Sequence, residues 1–349
     1  KRDYPASINY QSPRYKKYSC VEDHFARVNT AMTRGVPIVK VGVIHPVESF
    51  WLHWGPNDKS GLIREELDKN FQDLTKWLLF GSIDFDFISE SLLPGLCPHA
   101  DAPLRVGEME YDVIVVPGCE TLRSSTLDRL EKFREDGGRV IFLGEAPTLE
   151  NAQPSDRGER LFKNSEHIPY QRASLLTALD RSRTVCIRDD DGYLSDGLIY
   201  QLREDTDSLW LFVAHAVEPY DCNITNFNDI KITVKGEYSP VIYDTLSGEL
   251  KPAQFDYLNG DTVISARLFD FDSLLLRLYN GRSERQYAEP KKLEDKEILV
   301  PYETEYELDE PNVMLLDMAR FALDGDELSG EEEELLRADN ICREKLGFP

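Results

Sequence analysis

The chain has 349 residues, more than one ordinary domain holds, and its 41% hydrophobic and 30% charged content describes a globular protein with a buried core. A net charge of −24 repels phosphate backbones and argues against nucleic acid as a partner. No window approaches the apolar run that a membrane-crossing helix needs, which argues against a membrane partner as well.

Taken in chain order, residues 1–35 are polar and rich in tyrosine (Tyr4, Tyr10, Tyr15, Tyr18), and they end in a helical stretch with Phe25, Val28, Ala31 and Met32 on one face. Residues 39–44 read as a strand, 62–80 as an amphipathic helix (Leu67, Phe71, Leu74, Leu78) and 85–88 as a second strand. The stretch 111–144 is the most informative. An apolar run at 113–116 ends at Pro117-Gly118, a helix with Leu127, Leu130 and Phe133 follows, and Gly137-Gly138 precedes a second run at 140–143. Ser124 or Ser125 can cap that helix, and the glycine pair can supply the positive φ that ends it. Strand, helix and strand in about 30 residues make a right-handed βαβ unit. Four strands with alternating helices predict an open parallel α/β sheet of the flavodoxin or glutamine-amidotransferase type. Residues 151–183 form a transition with a short helix at 170–179.

Beyond it the periodicity changes to two. Strands are expected at 198–204 and 208–214 around Asp205-Thr206-Asp207, then at 230–234, 241–244, 262–268 and 273–278, the pattern of a β-sandwich. The fold class is thus α/β plus all-β. After Tyr279 the chain turns charged, with short elements at 312–321 and 331–346, and Glu331 to Glu334 read as a solvated helix start. Both ends look cut, as in an internal piece of a larger protein.

The residues Lys1-Arg2-Asp3-Tyr4-Pro5, Asn9-Tyr10-Gln11-Ser12-Pro13, Glu22-Asp23-His24-Phe25-Ala26-Arg27 and His45-Pro46-Val47-Glu48-Ser49-Phe50-Trp51 resemble sequence that follows a (β/α)₈ barrel in large bacterial glycoside-hydrolase-like proteins. The 111–144 block is similar to the β-galactosidase trimerisation domain, an amidotransferase-like module. The segment Asp244-Thr245-Leu246-Ser247-Gly248-Glu249 resembles appended β-domains, and Asn312-Val313-Met314-Leu315-Leu316-Asp317 the opening of a further sandwich. The resemblance implies four parts. Residues 1–35 are a linker and helix following a barrel outside the chain, and 36–183 are the amidotransferase-like α/β domain. Residues 184–285 are the β-sandwich, and 286–349 begin a further domain or a C-terminal extension. It also implies that the catalytic carboxylates sit on the barrel, that self-association is a partner mode, and that carbohydrate is the ligand.

Within the chain, Glu48 and Glu120 both follow predicted strands and are the nearest thing to a carboxylate pair. Cys119 lies in Pro117-Gly118-Cys119-Glu120, where class I amidotransferases have a structural turn. Their nucleophile elbow falls at Leu143-Gly144-Glu145, which holds no cysteine, so Cys119 reads as a structural thiol. The run from His45 to Trp54 is the densest in site-type residues: His45, Glu48, Trp51, His53 and Trp54, with Glu120, are expected to bind substrate or to form an interface, with no catalytic residue in the chain. The alternative is a small-molecule or hydrolytic activity around Glu48, Cys119 and Glu120. Asp189-Asp190-Asp191-Gly192 lacks calcium-loop spacing and reads as a turn. No histidine pairing has metal spacing and no GxGxxG follows a strand, so neither metal nor cofactor is expected. Six scattered cysteines without CxxC spacing suggest free thiols in a cytoplasmic, reducing setting.

Overall fold

A computed structural model describes residues 9, 10, 12, 14–222, 224–283, 299, 301–303, 305, 307, 308 and 317–348. Tyr4, the 1–5 motif and residues 312–316 of the expected C-terminal element lie outside them. The chain divides into two compact units, Ser19–Glu289 and Lys1–Tyr18 with Pro290–Pro349.

The larger unit carries a five-stranded parallel sheet. Its strands are β1 (Val41–Ile44), β2 (Phe85–Ile88), β3 (Val113–Pro117), β4 (Arg139–Leu143) and β5 (Glu166–Ile168), in the spatial order β2-β1-β3-β4-β5. Each strand pairs in parallel with its neighbour. The apolar runs follow from burial on both faces. Val43, Val115 and Ile141 point to one side with Leu74 and Leu78, and Ile114, Val116 and Phe142 point to the other with Leu130 and Phe133. Five helices cover these faces: α3 (Asn57–Phe80) and α7 (Arg172–Ala178) on the first, α5 (Ser124–Glu135) with the short α4 (Leu93–Leu96) and α6 (Arg157–Lys163) on the second. Helix α3 begins five residues earlier than its hydrophobic period suggests. At the start of α5 the serines are not the cap: Arg123 is the N-cap residue and Ser124 is already helical. The positive φ after α5 is carried by Gly137, at +93°. Gly138 has no room for a side chain, because a Cβ there would lie 2.2 Å from the Phe133 ring.

The fifth strand was not legible as an apolar run. Glu166-His167-Ile168 is three residues long, sits at the sheet edge and buries little.

Beside a hairpin of Leu104–Val106 with Met109–Tyr111 and a small sheet of Thr121–Leu122, Leu149–Glu150 and Gln153–Pro154, the unit holds two larger antiparallel sheets. One contains β7 (Leu198–Glu204), β8 (Ser208–His215), β14 (Ser273–Asn280) and β10 (Tyr238–Tyr243), flanked by the short strands Val36–Pro37 and β11 (Leu250–Pro252). The other contains β6 (Val185–Asp189), β9 (Phe227–Val234), β13 (Asp261–Phe269) and β12 (Gln254–Leu258). They enclose a shared core of alternating residues such as Leu209, Leu211 and Val213 facing Ile230, Ile232 and Ile264, a sandwich-like arrangement. The overall architecture is therefore mixed α/β, with one parallel sheet and several antiparallel ones. Helix α1 (Tyr18–Met32) lies on the outer face of the first sheet, where Ala31 meets Trp210 and Leu275. Phe25, expected on its apolar face, is 58% exposed. The Asp189–Gly192 run forms a tight turn: Tyr193 N–H donates to Asp189 Oδ1 and Gly192 has φ +87°. In the smaller unit, Met318–Ala319 pairs with Glu333–Glu334, and α8 (Leu335–Leu346) starts directly after the acidic run.

Candidate functional site

The segment following β1 is a helix. His45 extends the ladder by donating its N–H to Ile88 O at 3.0 Å, Pro46 caps, and α2 (Val47–Leu52) follows. The imidazole of His45 sits edge-on to Phe71 and Phe87, with centroids 5.3 and 5.6 Å away. Its partial burial disfavours the charged ring and lowers its pKa.

Different sides of α2 meet different groups. Ser49 is buried, and its hydroxyl accepts the N–H groups of Glu120 (3.0 Å) and Thr121 (3.2 Å), pinning α2 to the segment after β3. On the same side, His53 Nε2 lies 2.6 Å from Glu120 Oε2, and Arg123 Nε donates to Glu48 Oε1 at 2.6 Å. Glu90, just past β2, is 3% exposed and accepts the backbone N–H of Arg123 at 2.8 Å. Burial raises its pKa, and the Arg123 N–H opposes that rise. Cys119 is 2% exposed with its Sγ 3.7 Å from Pro117 O. Burial, reinforced by Glu90, pushes its thiol well above the ordinary range.

Trp51 and Trp54 project into solvent, 60% and 72% exposed. Trp54 lies near Phe50, and the Arg64 guanidinium sits 5.2 Å from its ring centroid.

The remaining side of α2 borders a cleft of about 890 Å³, within the range of small-molecule sites. It lies outside the carboxyl ends of β1, β3, β4 and β5, where the strand order reverses, the position at which open α/β sheets hold ligands. His45 lines it. Glu48 and Glu120 are hydrogen-bonded to Arg123 and His53 on the other side of α2, so the structure does not bring the six expected residues to one place. Three carboxylates (Glu66, Asp68, Glu145) border the cleft, and neither lysine nor arginine lines it among the described residues.

Sequence reasoning missed Ser49, Glu90, Arg123 and Tyr170. Only Tyr170 carried a signal, an aromatic residue between a strand end and the start of a helix. No cluster of three or more metal-type ligands occurs among the described residues, and no helix among them is long and apolar enough to cross a membrane. All six cysteines are free.

No protein-family model and no curated protein matches the chain. Solved structures do match in fold. A rhamnosidase from a Novosphingobium species aligns over 83% of this chain and 27% of its own length, with TM-score 0.57 and 14% identity. A GH42 β-galactosidase from G. stearothermophilus aligns over 80% of this chain and 46% of its own, with TM-score 0.54 and 9% identity. The chain thus spans less than half the length of either. In fold it resembles one region of larger, multidomain glycoside-hydrolase-type proteins.

Proposed function

We propose that this chain is a non-catalytic, accessory region of a carbohydrate-active enzyme, supporting a catalytic barrel that precedes it. The observation that carries the reading is that its fold recurs as a minor part of a rhamnosidase and a β-galactosidase, while its own acids Glu48 and Glu120 are engaged by Arg123 and His53. A glycosidase needs one protonated acid and one free carboxylate about 5–10 Å apart. With Glu48 hydrogen-bonded to Arg123 and Glu120 to His53, neither carboxyl is left free for such a pair.

The parallel sheet is assigned to the flavodoxin and amidotransferase group. Its order β2-β1-β3-β4-β5 is that of flavodoxin-like doubly wound sheets, and Gly144 stands at the elbow after β4 where a nucleophile would be needed. The limit at 183/184 falls at the change from parallel to antiparallel pairing, although Val36–Pro37 at the start of the α/β part pairs with β7 of the sandwich, and 1–35 is the connection from the barrel with 286–349 the start of a further domain or a C-terminal extension. The exposed Trp51 and Trp54 form the surface assigned to the barrel, to a second copy of the chain or to one wall of the sugar cleft. Six free thiols support a cytoplasmic setting.

The intact mass of the polypeptide made in its source organism tests the accessory reading. A product several hundred residues longer, with barrel periodicity upstream of Lys1, is expected, and a mature product of these 349 residues alone would overturn it.

A further inference from the structure

The cleft beside His45 has features that a docking surface does not require. Its floor is bare backbone: Gly118 (φ +53°) and Gly144 (φ +93°) end the adjacent strands β3 and β4, and their N–H groups donate to Leu143 O and Ile168 O. A Cβ at Gly144 would come 3.2 Å from the Tyr170 ring, so the glycine keeps open the space beneath that ring. Tyr170 is fixed as a wall by its hydroxyl, which donates to Asn70 O at 2.8 Å, and by Trp77 behind it at 5.7 Å. His45 forms another wall, and its ring nitrogens have no hydrogen-bond partner among the described residues, although aromatic contacts hold the ring in place.

The polar groups are unbalanced. Carboxylates accept and do not donate. Glu66 and Glu145 make no ion pair among the described residues, neither lysine nor arginine lines the cleft there, and His45, His167 and Asn70 complete its polar lining. Such a lining matches a ligand rich in hydroxyl and ammonium donors, and it opposes a phosphate, sulfate or uronate by leaving the added charge unpaired. The rings of Tyr170, Phe71 and Phe50 supply faces and edges for an apolar ring surface.

We propose that this cleft is a binding site for a small donor-rich ligand of the amino-sugar class, formed wholly within the α/β part of the chain and separate from the ion-paired side of α2. The sugar class rests on the accessory reading above, and the preference for amine over acid rests on the cleft itself.

The test uses the 349-residue chain carrying isotope-labelled glycine, with the Gly118 and Gly144 amides as reporters. Titrants are the gluco and galacto series: glucosamine and galactosamine, glucose and galactose, glucuronate and galacturonate. The expected result is a saturable shift of both amides with an amino sugar, and affinity for the matching uronate at least about threefold weaker. Glu145→Lys, at an exposed position without a partner among the described residues, should reverse that order while leaving the other glycine signals in place. No saturable shift with any of the six sugars, equal affinity for amine and acid, or an order unchanged by Glu145→Lys would each overturn the proposal. These outcomes are independent of the intact-mass result. A silent cleft in a longer polypeptide removes this site alone, and a responsive cleft in a 349-residue product removes the accessory reading alone.

Discussion

Glu90 holds the start of helix α5 by accepting the backbone N–H of its N-cap residue, Arg123, at 2.8 Å. The same residue's guanidinium reaches across to Glu48 on α2. One arginine therefore ties the segment after β2, the helix after β1 and the helix after β3 into a single brace beneath the carboxyl end of the sheet. Glu90→Ala would leave that N–H without its partner and is expected to cost about 1–3 kcal/mol, with Glu90→Gln, which keeps an acceptor oxygen, costing less. Urea unfolding of the two variants at one pH checks this, and equal midpoints for Glu90→Ala and the parent chain would contradict it.

Cys119 should be inert. It is buried, its thiol is held well above the ordinary pKa, and no histidine contacts it among the described residues. Iodoacetamide at neutral pH is expected to modify the exposed Cys20 and Cys222 long before Cys119. Peptide mapping over a time course reads the order, and Cys119 reacting first would restore the hydrolytic alternative.

Asp84 introduces a pH dependence. Burial pushes its carboxyl up to about 7, with the Phe85 N–H opposing and Asp86 adding to the rise. The folded state therefore binds this proton more tightly than the unfolded chain does. The resulting stability is fully present below the ordinary carboxylate value and is lost as pH rises towards 7, at up to roughly 1.4 kcal/mol per pH unit. Asp84→Asn removes the titration. The stability difference between the parent chain and Asp84→Asn should shift in favour of the variant from pH 4 to pH 8, and a difference constant across that interval would rule the effect out.

The parts legible in the sequence are those where a local pattern meets a local cause. Strands β1 to β4 are doubly buried and therefore continuously apolar, and α5 shows its period because one face packs under the sheet. Strand β5 shows no apolar run because Glu166 and His167 lie on an edge, and β6, between the transition at 151–183 and the first expected sandwich strand, is too short to show its period although Val185 and Ile187 alternate inward. Helix α2 was hidden by its own composition: Phe50, Trp51 and Trp54 drew attention as a patch, while Ser49, which anchors the helix, is an unremarkable residue in the string. Its partners Glu120 and Thr121 lie about 70 positions away. Glu90 and Arg123 are also joined only by tertiary pairing, which no periodicity encodes. His45 could be placed at the sheet's carboxyl end because strand direction alone determines it, whereas which side of α2 Glu48 and His53 occupy depends on the pairing of β1 with β3.

The central claim, that this chain supports carbohydrate chemistry without performing it, is tested most directly by assaying the purified chain on a panel of nitrophenyl-glycosides including galactosides and rhamnosides. With Glu48 held by Arg123 and Glu120 by His53, no turnover above the blank is expected on any of them. Hydrolysis that disappears in Glu48→Gln or Glu120→Gln would contradict the account.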